Sequence, residues 1–274
     1  IGDAAAIVAA GAQWGYPLML KARKGAYDGR GNQPVKSADE AEGAFAALSA
    51  GGKVKLYVER WCPFVRELAV MVCRGADGEL VNYPVVETRQ KESMCHTVIA
   101  PAQVSADTAR RAVEVARAAV GSLQGRGIFG VELFELDDGS VTFNELAPRP
   151  HNSGHWTQNG CTVDQFEQHI RAICGLPLGS GQRFADATMQ NILGTEREKV
   201  GLHFPNHNAR VHLYGKEEWR PGRKMGHITV TAPDQLTLRR RLSQLEDSQG
   251  PAGAAKLVRP APAVGVIMGS DSDL

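Results

Sequence analysis

Between Lys21 and Asn32 the chain reads KARKGAYDGRGN, placing Gly25, Gly29 and Gly31 among the cations Lys21, Arg23, Lys24 and Arg30. Glycines let backbone N–H groups approach an anion closely and the cations add charge, so such a loop is suited to hold phosphate oxygens. The spacing is neither G-x-x-x-x-G-K-[ST] nor a G-x-G-x-x-G that opens a helix, so the common phosphate signatures do not apply. A second constellation lies in GVELFELDDGSVTFNELA, residues 130–147. A two-residue turn at Asp138-Gly139 would pair Asp137 with Ser140 and set Glu132 directly opposite Glu145. With Gly130, Phe134, Phe143 and Ala147 as neighbours on that face, the two carboxylates would stand about 5 Å apart on a largely apolar surface. Facing anions destabilise a sheet and push one pKa up, unless a hard cation sits between them. Magnesium fits, because it takes one or two carboxylates and completes its shell with phosphates and water. A one-residue slip would instead turn one glutamate to solvent, and pattern alone leaves both registers open. Cations and magnesium together point to a nucleoside triphosphate.

The rest of the composition removes other classes. A formal net charge of +1 gives no general attraction to nucleic acid or anionic lipid, so phosphate binding must be local. No apolar run reaches membrane-spanning length and no signal-peptide pattern opens the chain, which makes a soluble cytoplasmic protein the expectation. Cys62, Cys73, Cys95, Cys161 and Cys174 are odd in number and form no C-x-x-C pair, against a disulfide framework or a zinc site. All five are expected as buried small hydrophobes.

The elements that must position these residues follow from periodicity. An alanine-rich helix over 3–14 leads to a strand over 18–22 that feeds the glycine loop. Ser37 is expected to cap a helix over 38–50. Residues 67–74 and 80–87 read as a hairpin about Asp77-Gly78. Ala109, Val113, Ala116, Val120 and Leu123 recur at helical spacing over 105–124, and Val163, Phe166, Ile170 and Ile173 mark a further helix. Strand patterns pass through Asn191, Val211 and Ile228 to a helix over 235–245, and from Asp247 the text turns Gly, Pro and Ala rich.

YPLMLKARKGAYDGRGN, VERWCPFVRELAV, GVELFELDDGSVTFNELAPRPHNSGHWTQNG and RPGRKMGHI together resemble the ATP-grasp 5-(carboxyamino)imidazole ribonucleotide synthases. The tail AVGVIMGSDSDL resembles the opening of the partner mutase, and synthase followed by mutase is the order in fungal-type bifunctional phosphoribosylaminoimidazole carboxylases. The resemblance implies an α/β (α+β) architecture: the ATP-grasp fold, with two antiparallel-sheet lobes and helices gripping ATP, plus a small C-terminal β-rich domain. It implies an ATP-grasp region over 1–178 without its leading lobe, a C-terminal synthase domain over 179–246, a linker over 247–262 and the start of a mutase over 263–274.

It also implies roles for single residues. Lys21 reaches the nucleotide phosphates and the loop with Gly29 and Gly31 closes over them. Glu59, Arg60, Trp61 and Cys62 form the adenine-binding hinge, Glu67 accepts ribose hydroxyls, and Asn144 lies at the phosphate end. Gln90 stands where relatives carry a phosphate-contacting histidine. Glu132 and Glu145 fall on the magnesium carboxylates. Arg149, His151, Asn152, Ser153, Arg223 and Lys224 match the region that holds the ribonucleotide phosphate and the carboxylating centre. Tyr27, Asp28, Arg30 and Lys224 are the expected catalytic residues, and Trp156 is expected to pack. The implied reaction carboxylates 5-aminoimidazole ribonucleotide with bicarbonate and ATP through carboxyphosphate. The implied partners are those substrates and a fused mutase domain, with no nucleic acid and no membrane; a homo-oligomer is compatible with the likeness. An ATP-grasp ligase with another acceptor, or a nucleotide-binding module without chemistry, are the alternatives. With the leading lobe and most of the mutase absent, the segment alone is expected to be inactive.

Overall fold

The structure, a computed structural model, describes residues 1–25, 31–91, 94–197 and 208–249, with 244–249 as backbone only. Helix α1 (Ala4–Trp14) starts at Asp3, whose carboxylate accepts the Ala6 N–H at 2.8 Å. Strand β1 (Leu18–Ala22) then pairs antiparallel with β2 (Asn32–Val35) on one side and β3 (Leu56–Arg60) on the other. Helix α2 (Ala41–Ser49) follows a 3-10 turn over Ala38–Glu40, so the helix expected from Ser37 is shorter. Ser37 makes no capping bond; the Glu40 carboxylate takes the Lys36 N–H at 2.7 Å instead. Ile7, Leu18, Leu20, Val35 and Leu56 close the core of this first layer.

Among the described residues the second sheet holds nine strands. Its elements are β4 (Phe64–Arg74), β5 (Leu80–Asn82), β6 (Val86–Lys91), β7 (Met94–Ala100), β8 (Gly127–Leu136), β9 (Val141–Ala147), β10 (Asp186–Leu193), β11 (Ala209–Leu213) and β12 (Lys224–Ala232). Helices α3 (Ala106–Gly121), α4 (Thr157–Gly160), α5 (Gln165–Ile173) and α6 (Gln235–Gln249) accompany them. The order is β11-β12-β10-β7-β6-β4-β8-β9, with β5 also beside β4. Because β10 pairs with β7, the C-terminal strands extend the same sheet. The strand expected over 80–87 is two strands, broken at Tyr83-Pro84-Val85, where Pro84 has no N–H to give a ladder.

Alternation along the long strands builds a core on each face. Leu68, Val70, Val72, Phe129, Val131 and Leu133 pack on α3 through Ala112, Ala116 and Val120. Leu123 falls beyond the end of α3 and is exposed. On the opposite face Ala69, Met71, Ile128 and Met189 pack with Ala172 of α5 and with Trp156, which is fully buried as expected. Helix α5 has the expected period, but Phe166, Ile170 and Ile173 point outward, while Gln165, Gln168 and Ala172 are buried. The buried amides are satisfied: Gln168 alone bonds both the Gly179 carbonyl and the Gly179 N–H, at 2.6 and 2.9 Å. The cysteine expectation needs correction as well. Cys73, Cys95 and Cys161 are buried, but Cys62 is half-buried in the strand connection and Cys174 is exposed at the C-cap of α5. Helix α6 runs to Gln249, past the Asp247 at which the linker was expected to begin, and the tail over 263–274 lies outside the described residues.

Candidate active site

The β8–β9 hairpin carries the two acids, and it reaches their pairing by a different route from the two-residue turn. The Leu136 N–H donates to the Ser140 carbonyl at 2.9 Å, so Asp137, Asp138 and Gly139 form a three-residue loop. Asp138 stabilises it by accepting the Ser140 N–H at 2.8 Å, and Gly139 takes the positive φ of +74 that the third position demands. Near the turn, Leu133 therefore faces Phe143, one residue out of the expected register. A bulge at Asn144 then inserts one residue into β9 and restores the pairing, so that Glu132 opposes Glu145.

Directly opposed residues share a face, and here the face is crowded with charge. Glu132 is half-buried and Glu145 exposed. Burial, then the charges of Glu145 and Glu67, push the Glu132 carboxyl up to about 7; Lys224 and Arg149 pull it back. Burial also raises Glu67, which the Gln90 amide opposes by donating at 2.8 Å. His151 Nε2 stands 3.7 Å from the Glu132 carboxylate. The close approach of His151 requires Gly130, where a Cβ would lie 2.5 Å from the His151 Cβ. Glu132, Glu145, Glu67, Gln90, Arg149, His151 and Lys224 are thus one neighbourhood assembled from five strands and the segment after β9.

Other expected site residues are placed as follows. On the small sheet, Lys21 Nζ pairs with the Glu59 carboxylate at 2.6 Å. Arg60 lies over the Trp14 ring, 5.3 Å from its centroid, and Trp61 is exposed. Burial raises the Cys62 thiol, with Glu59 raising it further and Lys21 lowering it, so these hinge residues adjoin one another. Gly31 closes the described end of the loop with φ +88. Tyr27, Asp28, Gly29 and Arg30 lie outside the described residues. Asn152 and Ser153 turn inward: the Asn152 amide bonds Asn191 of β10, and the Ser153 hydroxyl bonds His151 Nδ1 at 2.9 Å.

Two features escaped sequence reasoning. Lys216 donates to the Lys224 carbonyl at 2.6 Å, and burial together with the charges of Arg223 and Lys224 lowers its pKa. The density of cations in KEEWRPGRK was the available signal. The second is a stack of His155, His227 and His212, with ring centroids 4.9 and 4.5 Å apart. Burial lowers all three, His155 to about 4 and His227 to about 3, so the stack is neutral at ordinary pH. No local spacing relates residues brought together from a loop and two strands. Among the described residues, no group of three or more His, Cys, Asp or Glu could hold a metal alone. Two carboxylates facing each other beside cations remain a donor set that suits a hard cation sharing its shell with phosphate.

An antiparallel sheet carrying paired acids, with a smaller sheet carrying a lysine–glutamate pair, defines a class of nucleotide-dependent ligase folds, and comparison with known proteins specifies it. The ATP-grasp domain matches residues 1–166, and the phosphoribosylaminoimidazole carboxylase C-terminal domain matches residues 187–241. The chain belongs to the ATP-grasp family, in its N5-carboxyaminoimidazole ribonucleotide synthase branch. It is 45% identical to the phosphoribosylaminoimidazole carboxylase of Schizosaccharomyces pombe, over 99% of this chain and 50% of that protein. The N5-carboxyaminoimidazole synthase of Aspergillus clavatus, solved with ADP and 5-aminoimidazole ribonucleotide, superposes with TM-score 0.83 at 41% identity, over 90% of this chain and 66% of that one. The N5-carboxyaminoimidazole ribonucleotide synthetase of Thermus thermophilus gives TM-score 0.79 at 34% identity, over 96% and 68%. The chain spans about half the length of the curated carboxylases it matches. Among the described residues no helix is long and apolar enough to cross a membrane.

Proposed function

We propose that this chain supplies much of the site at which a cytoplasmic purine-biosynthetic enzyme carboxylates 5-aminoimidazole ribonucleotide with ATP and bicarbonate, in a protein that also carries a mutase domain. The observation that carries this reading is the opposed pair Glu132–Glu145 beside Arg149 and Lys224. The likeness to a synthase solved with ADP and aminoimidazole ribonucleotide supports it.

In this reading Lys21 and the Gly29–Gly31 loop hold the ATP phosphates. Backbone groups from Glu59 to Cys62, with Arg60 and Trp61 alongside, read the adenine, and Glu67, steadied by Gln90, accepts the ribose hydroxyls. Glu132 and Glu145, with Asn144 at the phosphate end, would hold magnesium, which when bound neutralises charge on the phosphates. The terminal phosphoryl group passes from ATP to a bicarbonate oxygen, releasing ADP and forming carboxyphosphate. The amine of the ribonucleotide then attacks the carboxyl carbon, and phosphate leaves. Arg149, Arg223 and Lys224, joined by Lys216, grip the anionic substrates, since planar guanidinium groups suit phosphate and carboxylate oxygens. Tyr27, Asp28 and Arg30 close over the reacting centre and exclude water, which would otherwise hydrolyse carboxyphosphate. His151 faces the same centre from beside Glu132.

The test is ADP release by the full-length protein with each substrate omitted in turn. Turnover should require both bicarbonate and aminoimidazole ribonucleotide; equal turnover without the ribonucleotide, or with a different acceptor, would overturn the assignment.

A further inference from the structure

The segment that presents Arg149 and His151 is held from two sides: the Gln165 side chain of α5 accepts the His151 N–H at 2.9 Å and donates to the His151 carbonyl at 3.0 Å, while the Asn152 amide faces the sheet and pairs with one residue of β10. Asn191 is 1% exposed. Its Nδ2 donates to the Cys95 carbonyl and to Asn152 Oδ1, both at 2.8 Å, and its Oδ1 accepts from Asn152 Nδ2 at 2.7 Å. Both amide protons are therefore used. The location explains why a side chain is needed. The β10–β7 ladder runs from Ala187↔Ala100 to Gln190↔Thr97 and stops there, so the strands part at Asn191. Its amide takes over where backbone pairing ends, binding β7 through Cys95 and the 3-10 turn over Asn152–Gly154 through Asn152. Cys95 is in turn the ladder partner of Gln90, which holds Glu67.

Deepening the carboxylation reading and resting on it, we propose that Asn191 is a positioning residue. Through the reciprocal amide pair with Asn152 it fixes the segment that carries Arg149 and His151, and so sets the binding of the acceptor ribonucleotide, though neither amide touches a ligand. Asn152 is correspondingly a strut, since its amide is committed to the sheet. Buried reciprocal amides suit this task, because a strut that loses one partner leaves the other's polar atoms unsatisfied, and the arrangement is held tightly.

The experiment is a double-mutant cycle in the full-length enzyme with Asn191→Ala, Asn152→Ala and both together, read by steady-state kinetics and by amide hydrogen exchange over residues 149–155. Each single variant should raise the KM for aminoimidazole ribonucleotide about tenfold or more, the size expected when about 1.4 kcal/mol of positioning is lost. The KM for ATP should stay within about twofold on the same scale. The double variant should be hardly worse than Asn191→Ala, because that single change already removes the whole Asn152 pair along with the bond to Cys95. Asn152→Ala acts from a half-buried position and leaves Asn191 bonded to Cys95, so it reports even if Asn191→Ala folds poorly. Faster exchange over 149–155 in both singles is expected whatever the reaction is. Unchanged exchange there, additive effects, or an equal rise in the KM for ATP would overturn the proposal. Failure of the wild type to carboxylate the ribonucleotide would sink the functional reading alone.

Discussion

Replacing Glu132 by glutamine isolates the cost of placing two carboxylates face to face. The folded protein holds the Glu132 proton up to about pH 7, whereas the unfolded chain releases it near 4.5. Below 4.5 both states are protonated and the acid costs nothing. As pH rises the unfolded state ionises first, so the fold loses stability steadily through the window from 4.5 to about 7, after which the full penalty stands. At about 1.4 kcal/mol per pH unit of that interval, the penalty at pH 8 is about 3 kcal/mol. Glutamine keeps the shape and cannot ionise, and its amide can donate to Glu145. Glu132→Gln should therefore stabilise the protein by about 3 kcal/mol at pH 8, with the gain shrinking toward zero near pH 4.5. Denaturant unfolding of both proteins across this range measures the difference, in which titrating groups that do not interact with Glu132 cancel. Magnesium should stabilise the parent and not the variant, because only the parent has two anions for it to join. A variant no more stable than the parent at pH 8, or equally stabilised at every pH, would refute the argument that repulsion and burial raise Glu132. The same variant should lose ATP-dependent turnover, so a site residue would stabilise the protein by its removal, as expected where charge is gathered for a ligand.

Two further perturbations test the surroundings. The His155–His227–His212 stack is neutral in the fold, so its contribution is present above the usual histidine pKa near 6.5 and is lost as pH falls from there through about 4 for His155 and about 3 for His227. His227→Phe should cost about 1 kcal/mol at pH 8, by deleting the bond with the Tyr214 hydroxyl, yet flatten the decline in thermal midpoint below pH 6.5; an unchanged acid slope would exclude the stack as its cause. Gly130→Ala puts a methyl 2.5 Å from the His151 Cβ and should push that segment off β8, raising the acceptor KM while nucleotide binding by calorimetry persists; unaltered kinetics would show that His151 can yield without consequence.

How much of this was legible beforehand depends on whether the determining contact was local. The opposition of Glu132 and Glu145 was readable, but the two-residue turn invoked for it is a three-residue loop, and the bulge at Asn144 cancels the difference. Dipeptide chemistry marks a turn by the need for a positive φ at glycine, and Gly78 and Gly139 both meet that need, with φ +89 and +74. It does not say whether one residue or two precede the glycine, because either choice satisfies it. A bulge has even less local signature, since its reason is the partner strand. The helical period of α5 was equally clear while its buried face was not. Gln165 and Gln168 look solvated until His151, His155 and Gly179, distant in the chain, supply their hydrogen bonds.

The same distinction separates the residues that meet a ligand from those that hold them. Residue type identified HNSGH as chemically loaded, and the fold divides it. His151 faces the acids from above Gly130, Asn152 and Ser153 face the sheet, and His155 joins a stack completed by strands more than fifty residues later. A motif of this kind is conspicuous because both halves are constrained, one by a ligand and the other by packing, and sequence cannot apportion the constraint. The bonds to Asn191 do so. An amide with both its oxygen and nitrogen bound to a residue that is 1% exposed has little left to offer a substrate. A charged head group beside a half-buried carboxylate, by contrast, gains nothing from packing that an apolar side chain would not supply better. Arg149 and Lys224, whose charges bear on Glu132, are therefore the positions at which the acceptor should be sought, and Asn152 the position at which the search should stop.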